Sequence, residues 1–157
     1  MGVAKPALTD AIQDYLREIY KLGADGGRVS VTALAKRQGV SPASASAMVK
    51  KLAALGLAVH QPYHGITLTT AGDKVALEVI RHHRLLELYL AETLDLHVDD
   101  VHDEAERLEH VISEELEERI DKALGFPTHD PHGDPIPDAN LKWPGASASR
   151  RTNAPAA

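Results

Sequence analysis

Residues 38–57 of the chain have the sequence QGVSPASASAMVKKLAALGL. A glycine-containing turn comes first, followed by Ser41, a favourable helix N-cap, and by Pro42 at the first helical position, where its missing N–H costs nothing. Apolar residues then recur at three- and four-residue spacing as far as Leu55, and the next residue is a glycine. The stretch therefore predicts a turn followed by a helix of about four turns.

The sequence on either side of this helix predicts a winged helix-turn-helix. On the N-terminal side, Thr9 is the expected N-cap of a first helix and Thr32 that of a short second helix. On the C-terminal side, residues 57–59 and 66–68 are expected to form two strands around a polar tip. Helix-turn-helix proteins place their second helix in the major groove of double-stranded DNA.

The helix predicted over residues 42–55 is the expected recognition helix. Small residues near its N-terminus allow a close approach to DNA, while hydroxyl groups, the helix N-terminus and two lysines can bind phosphates. No Arg or Asn occupies an outward position, so base specificity would rest on few contacts and on groove shape. A helical hairpin packed against protein is the alternative. The predicted DNA-binding residues are Thr32, Ser41, Pro42, Ala43, Ser44, Ser46, Ala47, Lys50 and Lys51.

Histidine and glutamate side chains cluster on two further helices, predicted over about residues 71–94 and 98–124. On the first helix, His83 and Glu87 are i, i+4 partners. Four side chains share one stripe of the second helix: His102, Glu106, Glu109 and His110. Imidazole and carboxylate ligands without thiolate suit Mn²⁺ or Fe²⁺, and the chain has no cysteine. Two facing stripes would hold one or two cations; the alternative is a solvated polar surface.

The charge of the chain is unevenly distributed. Residues 1–75 carry nine Lys/Arg and five Asp/Glu, whereas residues 76–126 carry five Lys/Arg and fifteen Asp/Glu. A basic first half and an acidic second half favour a nucleic-acid-binding module joined to a cation-binding one.

Several classes of protein are disfavoured by the sequence. It has no long apolar run and no signal-peptide pattern, which predicts a soluble, cytoplasmic protein without a membrane partner. It also lacks a His-Glu-x-x-His motif, a nucleophile elbow and a phosphate-binding loop, so we expect no enzyme activity. A helical carboxylate-bridged oxidase would use Glu-x-x-His pairs, and here the pair is Glu106-x-x-x-His110.

Four stretches of the chain together resemble one family of regulators: residues 14–20, 41–55, 81–87 and 101–110. They are similar to the metal-dependent repressors of the diphtheria toxin repressor and manganese transport regulator family, over about residues 8–140. The resemblance implies a mainly α fold, with a winged helix-turn-helix DNA-binding domain at 1–73 and a helical metal-binding and dimerisation domain at 74–140. Residues 141–157 are predicted to be a disordered tail.

The resemblance also implies two metal positions in each chain. The ligands of the first would be His83, Glu87 and His102. The ligands of the second would be Asp14, Glu106, Glu109 and His110. Members of the iron-sensing branch have Met and Cys where this chain has Asp14 and Glu106, and carboxylates favour Mn²⁺, with Fe²⁺ as the alternative. The expected function is a metal-bound homodimer that binds an inverted repeat in double-stranded DNA and represses metal-uptake genes.

The chain departs from the pattern of the family in two places. Arg17 stands where short manganese regulators have a carboxylate ligand, which favours two separate metal sites over a closely spaced pair. Residues 129–137 resemble a linker that leads to an SH3-like domain in longer relatives, and we expect no such domain here. A missing ligand would then come from water, Asp130, His132 or Asp134. The alternative function is a winged-helix regulator that responds to a small organic ligand.

Overall fold

The computed structural model of this chain describes residues 8–145, which form six helices and one antiparallel hairpin. The first five elements build the predicted winged helix-turn-helix: α1 Asp10–Leu22, α2 Val31–Gln38, α3 Pro42–Ala54, β1 Ala58–Gln61 and β2 Gly65–Leu68. The remaining helices are α4 Thr70–Glu92, α5 Val101–Leu108 and α6 Glu114–Ala123. Within the described range, no helix combines the length and the apolar character that crossing a membrane requires.

The N-caps of α1 and α3 are the predicted ones, whereas that of α2 is different. The hydroxyl of Thr9 accepts a hydrogen bond from the backbone N–H of Ile12, and Ser41 caps α3 in the same way. Helix α2 is capped by Ser30, whose hydroxyl accepts from the N–H of Ala33 at 3.0 Å. The prediction that Thr32 is the cap was therefore wrong. Ser30, two positions earlier, has the extended backbone and the side-chain oxygen that an N-cap requires.

Apolar side chains from the three short helices and the hairpin share one core. Leu16 of α1, Leu34 of α2 and Leu52 of α3 are fully buried in it, together with Ile66 of β2. Helix α1 also packs along α4, so the DNA-binding part and the long helix are joined through α1. A shift of α4 relative to α1 would therefore also displace the helix-turn-helix.

The helix predicted over about residues 98–124 is broken in the structure. Helix α5 ends at Leu108, and α6 begins after Ser113, whose hydroxyl accepts from the N–H of Leu116 at 3.1 Å. Ser113 is a strong N-cap, and this local hydrogen bond replaces the continuous helix. Glu109 and His110 consequently lie in the turn after α5, beyond the helical stripe that the spacing predicted.

The segment after α6 folds back over α4. Ile136 is buried against Leu85 and Leu88, and Trp143 is only 8% exposed beside Ile80. Trp143, near the start of the predicted disordered tail, therefore packs against the helices, because its aromatic ring covers apolar surface. Residues 146–157 of the predicted tail lie outside the described residues.

Candidate metal centre

The predicted triad of His83, Glu87 and His102 forms a compact triangle of ligand atoms. Nε2 of His83 lies 3.2 Å from Oε2 of Glu87 and 3.1 Å from Nδ1 of His102. The third side, from Nδ1 of His102 to Oε2 of Glu87, measures 3.5 Å. Helix α4 supplies the first two groups one turn apart, and α5 brings the third across the helix–helix contact.

The size of this triangle suits a divalent cation. Ligand bonds of about 2.1 Å place neighbouring ligand atoms about 3.0 Å apart in an octahedron and about 3.4 Å apart in a tetrahedron. The triad falls in this range, so its geometry fits a metal without selecting one coordination number. Two imidazole nitrogens at 3.1 Å also need a proton or a cation between them, because their lone pairs repel.

The second oxygen of Glu87 faces the loop of residues 129–137. Nδ1 of His132 lies 3.7 Å from Oε1 of Glu87, and Asp130 completes a group whose ligand atoms all lie within 4.8 Å of one another. Oδ1 of Asp130 accepts hydrogen bonds from the N–H groups of His132 and Asp134, at 2.8 and 2.9 Å. Of the candidates for the missing ligand, the structure thus places Asp130 and His132 against the centre.

Asp130 carries an unsatisfied oxygen at this position. Its Oδ2 is buried and has no hydrogen-bond partner among residues 8–145. Burial raises the pKa of the Asp130 carboxyl, and the backbone N–H of Asp134 offsets only part of that increase. Burial would also raise the pKa of Glu87, but the hydrogen bond and charge of His83 outweigh it and lower that pKa. The side chain of Asp130 also acts on Glu87, and a proton or a cation between two such carboxyls would remove their repulsion.

Glu109 orients the imidazole of His83 from the other side. Its Oε1 lies 3.3 Å from Nδ1 of His83, and the residue is only 1% exposed. A carboxylate on the far nitrogen of a histidine holds the ring and fixes which nitrogen is available to a metal. Burial lowers the pKa of His83, but the hydrogen bonds that its ring donates to Glu109 and Glu87 outweigh this effect and raise that pKa to about 9.

The pH dependence of stability without metal follows from this shift. Because the folded pKa of about 9 exceeds the ordinary 6.5, protonated His83 stabilises the fold below pH 6.5, and this stability is lost as the pH rises through 9. We expect the free energy of unfolding in chelator to fall by on the order of 2–3 kcal/mol more between pH 6.5 and 9.5 in the wild type than in His83→Gln. Urea unfolding at the two pH values measures this difference.

The control for the pH experiment is His97→Gln, because the side chain of His97 is 69% exposed and lies away from the centre. It should retain the slope of the wild type. Equal slopes for the wild type and His83→Gln would contradict the raised pKa of His83.

The second predicted ligand set is only partly assembled. Oδ1 of Asp14 lies 2.9 Å from Nε2 of His110, but Arg17 stands between the carboxylates and binds Glu109 at 2.6 Å and Asp14 at 3.2 Å. Glu106 points elsewhere and pairs with Nε2 of His102 at 3.2 Å. The four groups therefore do not converge on one point, because a guanidinium occupies the place expected for a cation and α5 ends before Glu109.

Two further residues next to the centre, His82 and Glu117, were not singled out by the sequence. Nε2 of His82 lies 2.8 Å from Glu117, and its Nδ1 lies 3.2 Å from the carbonyl oxygen of Glu109. Burial lowers the pKa of His82, but the contact with Glu117 outweighs it and raises that pKa. Glu117 also pairs with buried Arg81. His82 stands next to the candidate ligand His83, and Glu117 lies within an acidic run, so nothing in the sequence distinguished either residue from its neighbours.

The predicted DNA-binding residues form one exposed face. Pro42, Ala43, Ser44, Ala47, Lys50 and Lys51 of α3 are exposed, Ser46 is half-buried, and Ser41 and Thr32 are exposed nearby. Opposite them, Ala45, Val49 and Leu52 are buried, which fixes the outward orientation of this face. The hydroxyl of Ser41 caps the helix and lies 3.0 Å from that of Ser44.

Comparison with known proteins identifies related sequences over both parts of the chain. Residues 7–66 match a family described as iron dependent repressor, N-terminal DNA binding domain. Residues 69–138 match the family described as iron dependent repressor, metal binding and dimerisation domain. The two matches meet at the start of α4 and cover all the predicted metal ligands.

Individual relatives agree with these matches. The iron-dependent repressor IdeR of Mycobacterium leprae is 38% identical over 130 residues, which are 83% of this chain and 56% of that protein. An HTH-type transcriptional regulator of Methanocaldococcus jannaschii is 36% identical over 72% of this chain and 91% of its own length. A solved manganese-dependent transcriptional repressor in complex with manganese is 47% identical, with a TM-score of 0.76, over 86% of this chain and 62% of that one. The chain thus spans less than two thirds of the first and last of these relatives.

Proposed function

The chain belongs to the iron-dependent repressor family, and on that basis we propose that it is a DNA-binding transcriptional regulator that responds to manganese, with iron(II) as the alternative. The observation that carries the proposal is the triangle of His83, Glu87 and His102, built on a helix that packs against α1 of the DNA-binding part. A metal-binding group and a DNA-binding fold are thereby connected within one chain.

Glu87 belongs to two groups of candidate metal ligands, one on the helices and one that includes the loop 129–137. Oε2 of Glu87 belongs to the triangle, while Oε1 faces Asp130 and His132 of the loop 129–137. A bound divalent cation would supply the positive charge that the unsatisfied Oδ2 of Asp130 lacks. His83, oriented by Glu109, would offer Nε2, and the loop would be held against α4.

The choice of manganese over iron rests on ligand chemistry. Every candidate ligand is an imidazole or a carboxylate, because the chain has no cysteine and Asp14 and Glu106 stand where iron-sensing relatives have sulfur ligands. A solved relative is a manganese-dependent repressor bound to manganese, whereas the curated relative from Mycobacterium leprae is an iron-dependent repressor. Affinity alone would favour other ions, so the selectivity must also depend on geometry and availability.

Metal binding is proposed to act on DNA through α1. The turn after α5 already contacts α1 through Arg17–Glu109 and Asp14–His110. We propose Asp14, Glu106, Glu109 and His110 as a second metal position, which requires Arg17 to release Glu109 and Glu106 to leave His102. Fixing α1 fixes the helix-turn-helix, and a ligand shifts this equilibrium only through its higher affinity for one state.

A homodimer is proposed to present two recognition helices. Several large apolar residues around the α5–α6 turn are exposed, and such a surface suits an interface between two copies: Leu108, Val111 and Leu116. Two-fold symmetric dimers bind inverted repeats, with half-sites about 34 Å or a multiple of it apart. The proposed outcome is metal-dependent repression of metal-uptake genes.

Selection of genomic DNA fragments by the purified protein tests the proposed function. Parallel selections contain chelator, manganese, iron(II) or zinc. We expect an inverted repeat to be enriched with manganese, or with manganese and iron(II), but not with chelator. Equal enrichment in chelator would overturn metal control and favour the alternative function, a winged-helix regulator that responds to a small organic ligand. No enrichment under any condition would overturn the DNA-binding function.

Replacing Asp14 with alanine tests the contribution of the second metal position. We expect the gain in DNA affinity on adding manganese to fall at least about tenfold, because α1 loses its carboxylate link to His110. Fluorescence anisotropy with the selected DNA measures the gain. The matched control is Asp10→Ala, an exposed carboxylate in the first turn of the same helix, which should behave as the wild type. A normal metal response in Asp14→Ala would exclude this position.

A further inference from the structure

The single tryptophan of the chain joins the segment after α6 to the DNA-binding part. Trp143 is 8% exposed, and its indole N–H donates a hydrogen bond to the hydroxyl oxygen of Tyr20 on α1 at 3.1 Å. The two rings are stacked, with centroids 6.4 Å apart and an angle of 28° between their planes. Trp143 therefore contacts α1 six residues beyond Asp14, through a contact that contains no candidate metal ligand.

Arg84 connects the same indole to the loop 129–137. This arginine is only 3% exposed, its Nη1 donates to the carbonyl oxygen of Pro135 at 2.6 Å, and its guanidinium carbon lies 5.6 Å from the centre of the Trp143 ring. One planar cation thus binds the backbone of the loop and lies over the indole. Because Pro135 follows Asp130 and His132 closely, the position of Arg84 depends on how the loop sits against Glu87.

The end of the loop and the chain that follows it up to Trp143 are also held in place. Ile136 is 1% exposed, and the carbonyl oxygen of Pro137 accepts from Arg81 at 3.0 Å. Oδ1 of Asp138 then accepts from the N–H groups of Asn140 and Lys142, at 2.8 and 3.0 Å. A segment tied at each of these points moves as one piece, so displacement of the loop reaches Trp143 through the backbone as well as through Arg84.

We propose that Trp143 and Tyr20 are positioning residues that transmit the state of the loop 129–137 to α1. This inference rests on the proposed function and adds a second link between the metal centre and the DNA-binding part, apart from the contacts of Asp14 and Arg17. When Asp130 and His132 are drawn to Glu87, Arg84 and the segment carry the indole to its place on Tyr20. The hydrogen bond then favours the arrangement of α1 that accompanies a filled centre.

A double-mutant cycle on Tyr20→Phe and Trp143→Phe tests this inference. Both variants keep an aromatic ring and remove one partner of the hydrogen bond, so the fold is expected to persist, as thermal unfolding will show. For each variant, calorimetry gives the manganese affinity, and anisotropy gives the DNA affinity with manganese and with chelator. Hydrogen exchange of the amides in α1 measures protection by metal without DNA. Tyr89→Phe is the control, because Tyr89 packs in a separate cluster on α4.

We expect each single variant to lose about fivefold of the metal-induced gain in DNA affinity, with a manganese affinity within about twofold of the wild type. The double variant should lose no more than either single variant, because the same hydrogen bond is absent in all three. Metal-induced protection of α1 should fall in parallel.

A wild-type gain in both single variants, or losses that multiply in the double variant, would overturn this inference and leave the proposed function intact. A wild-type protein whose DNA affinity ignores manganese would overturn the proposed function, and this inference with it.

Discussion

Glu87→Gln is expected to lower the affinity of the protein for manganese by about 100-fold or more. Mutating even the outer partners of metal ligands typically costs 10–100-fold, and Glu87 is proposed to contact the ion itself. Its Oε2 closes the triangle with His83 and His102, and its Oε1 faces the loop that carries Asp130. Glutamine has nearly the same shape but offers one neutral oxygen and an amide that repels a cation. Calorimetry on protein first stripped of metal measures the loss.

The control for this variant is Glu92→Gln, which changes an exposed carboxylate at the end of the same helix. It should bind manganese as the wild type does. Circular dichroism of Glu87→Gln in chelator should show the helical content of the wild type, because Glu109 still faces His83. A manganese affinity within threefold of the wild type would remove Glu87 from the centre.

Gly72→Ala is expected to destabilise the fold by about 3 kcal/mol or more. A Cβ at residue 72 would lie 2.0 Å from the carbonyl oxygen of Leu57 and 3.0 Å from its carbonyl carbon. Both atoms belong to the backbone at the start of the hairpin, and that carbonyl also accepts from the N–H of Thr69 at 3.1 Å. Alanine favours a helix by about 1 kcal/mol over glycine, but it must here force α4 away from the hairpin, and overpacking of this kind costs more.

Urea denaturation followed by circular dichroism measures the stability of Gly72→Ala. The neighbouring variant Ala71→Ser is the control, because Ala71 is exposed and should change the free energy of unfolding by less than about 0.5 kcal/mol. An alanine at residue 72 that leaves stability within 1 kcal/mol of the wild type would show that α4 and the hairpin do not meet as closely as described.

Features with local causes could be predicted from the sequence. The cap of α3 depends on Ser41 and Pro42, which are adjacent, and the pairing of His83 with Glu87 depends on a single helical turn. The break at Ser113 was missed because the apolar spacing continues across it, although Ser113 itself is a strong capping residue. The amphipathic pattern at this point favours a continuous helix, whereas Ser113 favours a new helix start, and the structure follows the capping residue.

Features that depend on distant contacts could not be predicted in the same way. Arg17 lies 92 residues from Glu109 in the chain, and only the tertiary fold shows that its guanidinium separates Glu109 from Asp14. The burial of Trp143 depends likewise on Tyr20, 123 residues away. From the sequence, the missing ligand could be water, Asp130, His132 or Asp134. Only the fold, in which the chain returns over α4, places Asp130 and His132 next to Glu87.

The uneven exposure of the triad has a kinetic consequence. The side chain of His102 is 56% exposed, whereas that of Glu87 is 4% exposed. An ion held between them would meet water and competing chelators from the side of His102, so the first metal bond to break would be the one to α5. The lifetime of the occupied centre would then depend on how often α5 lifts from α4, and changes in α5 would alter how quickly the protein responds to falling metal as well as its affinity for the ion.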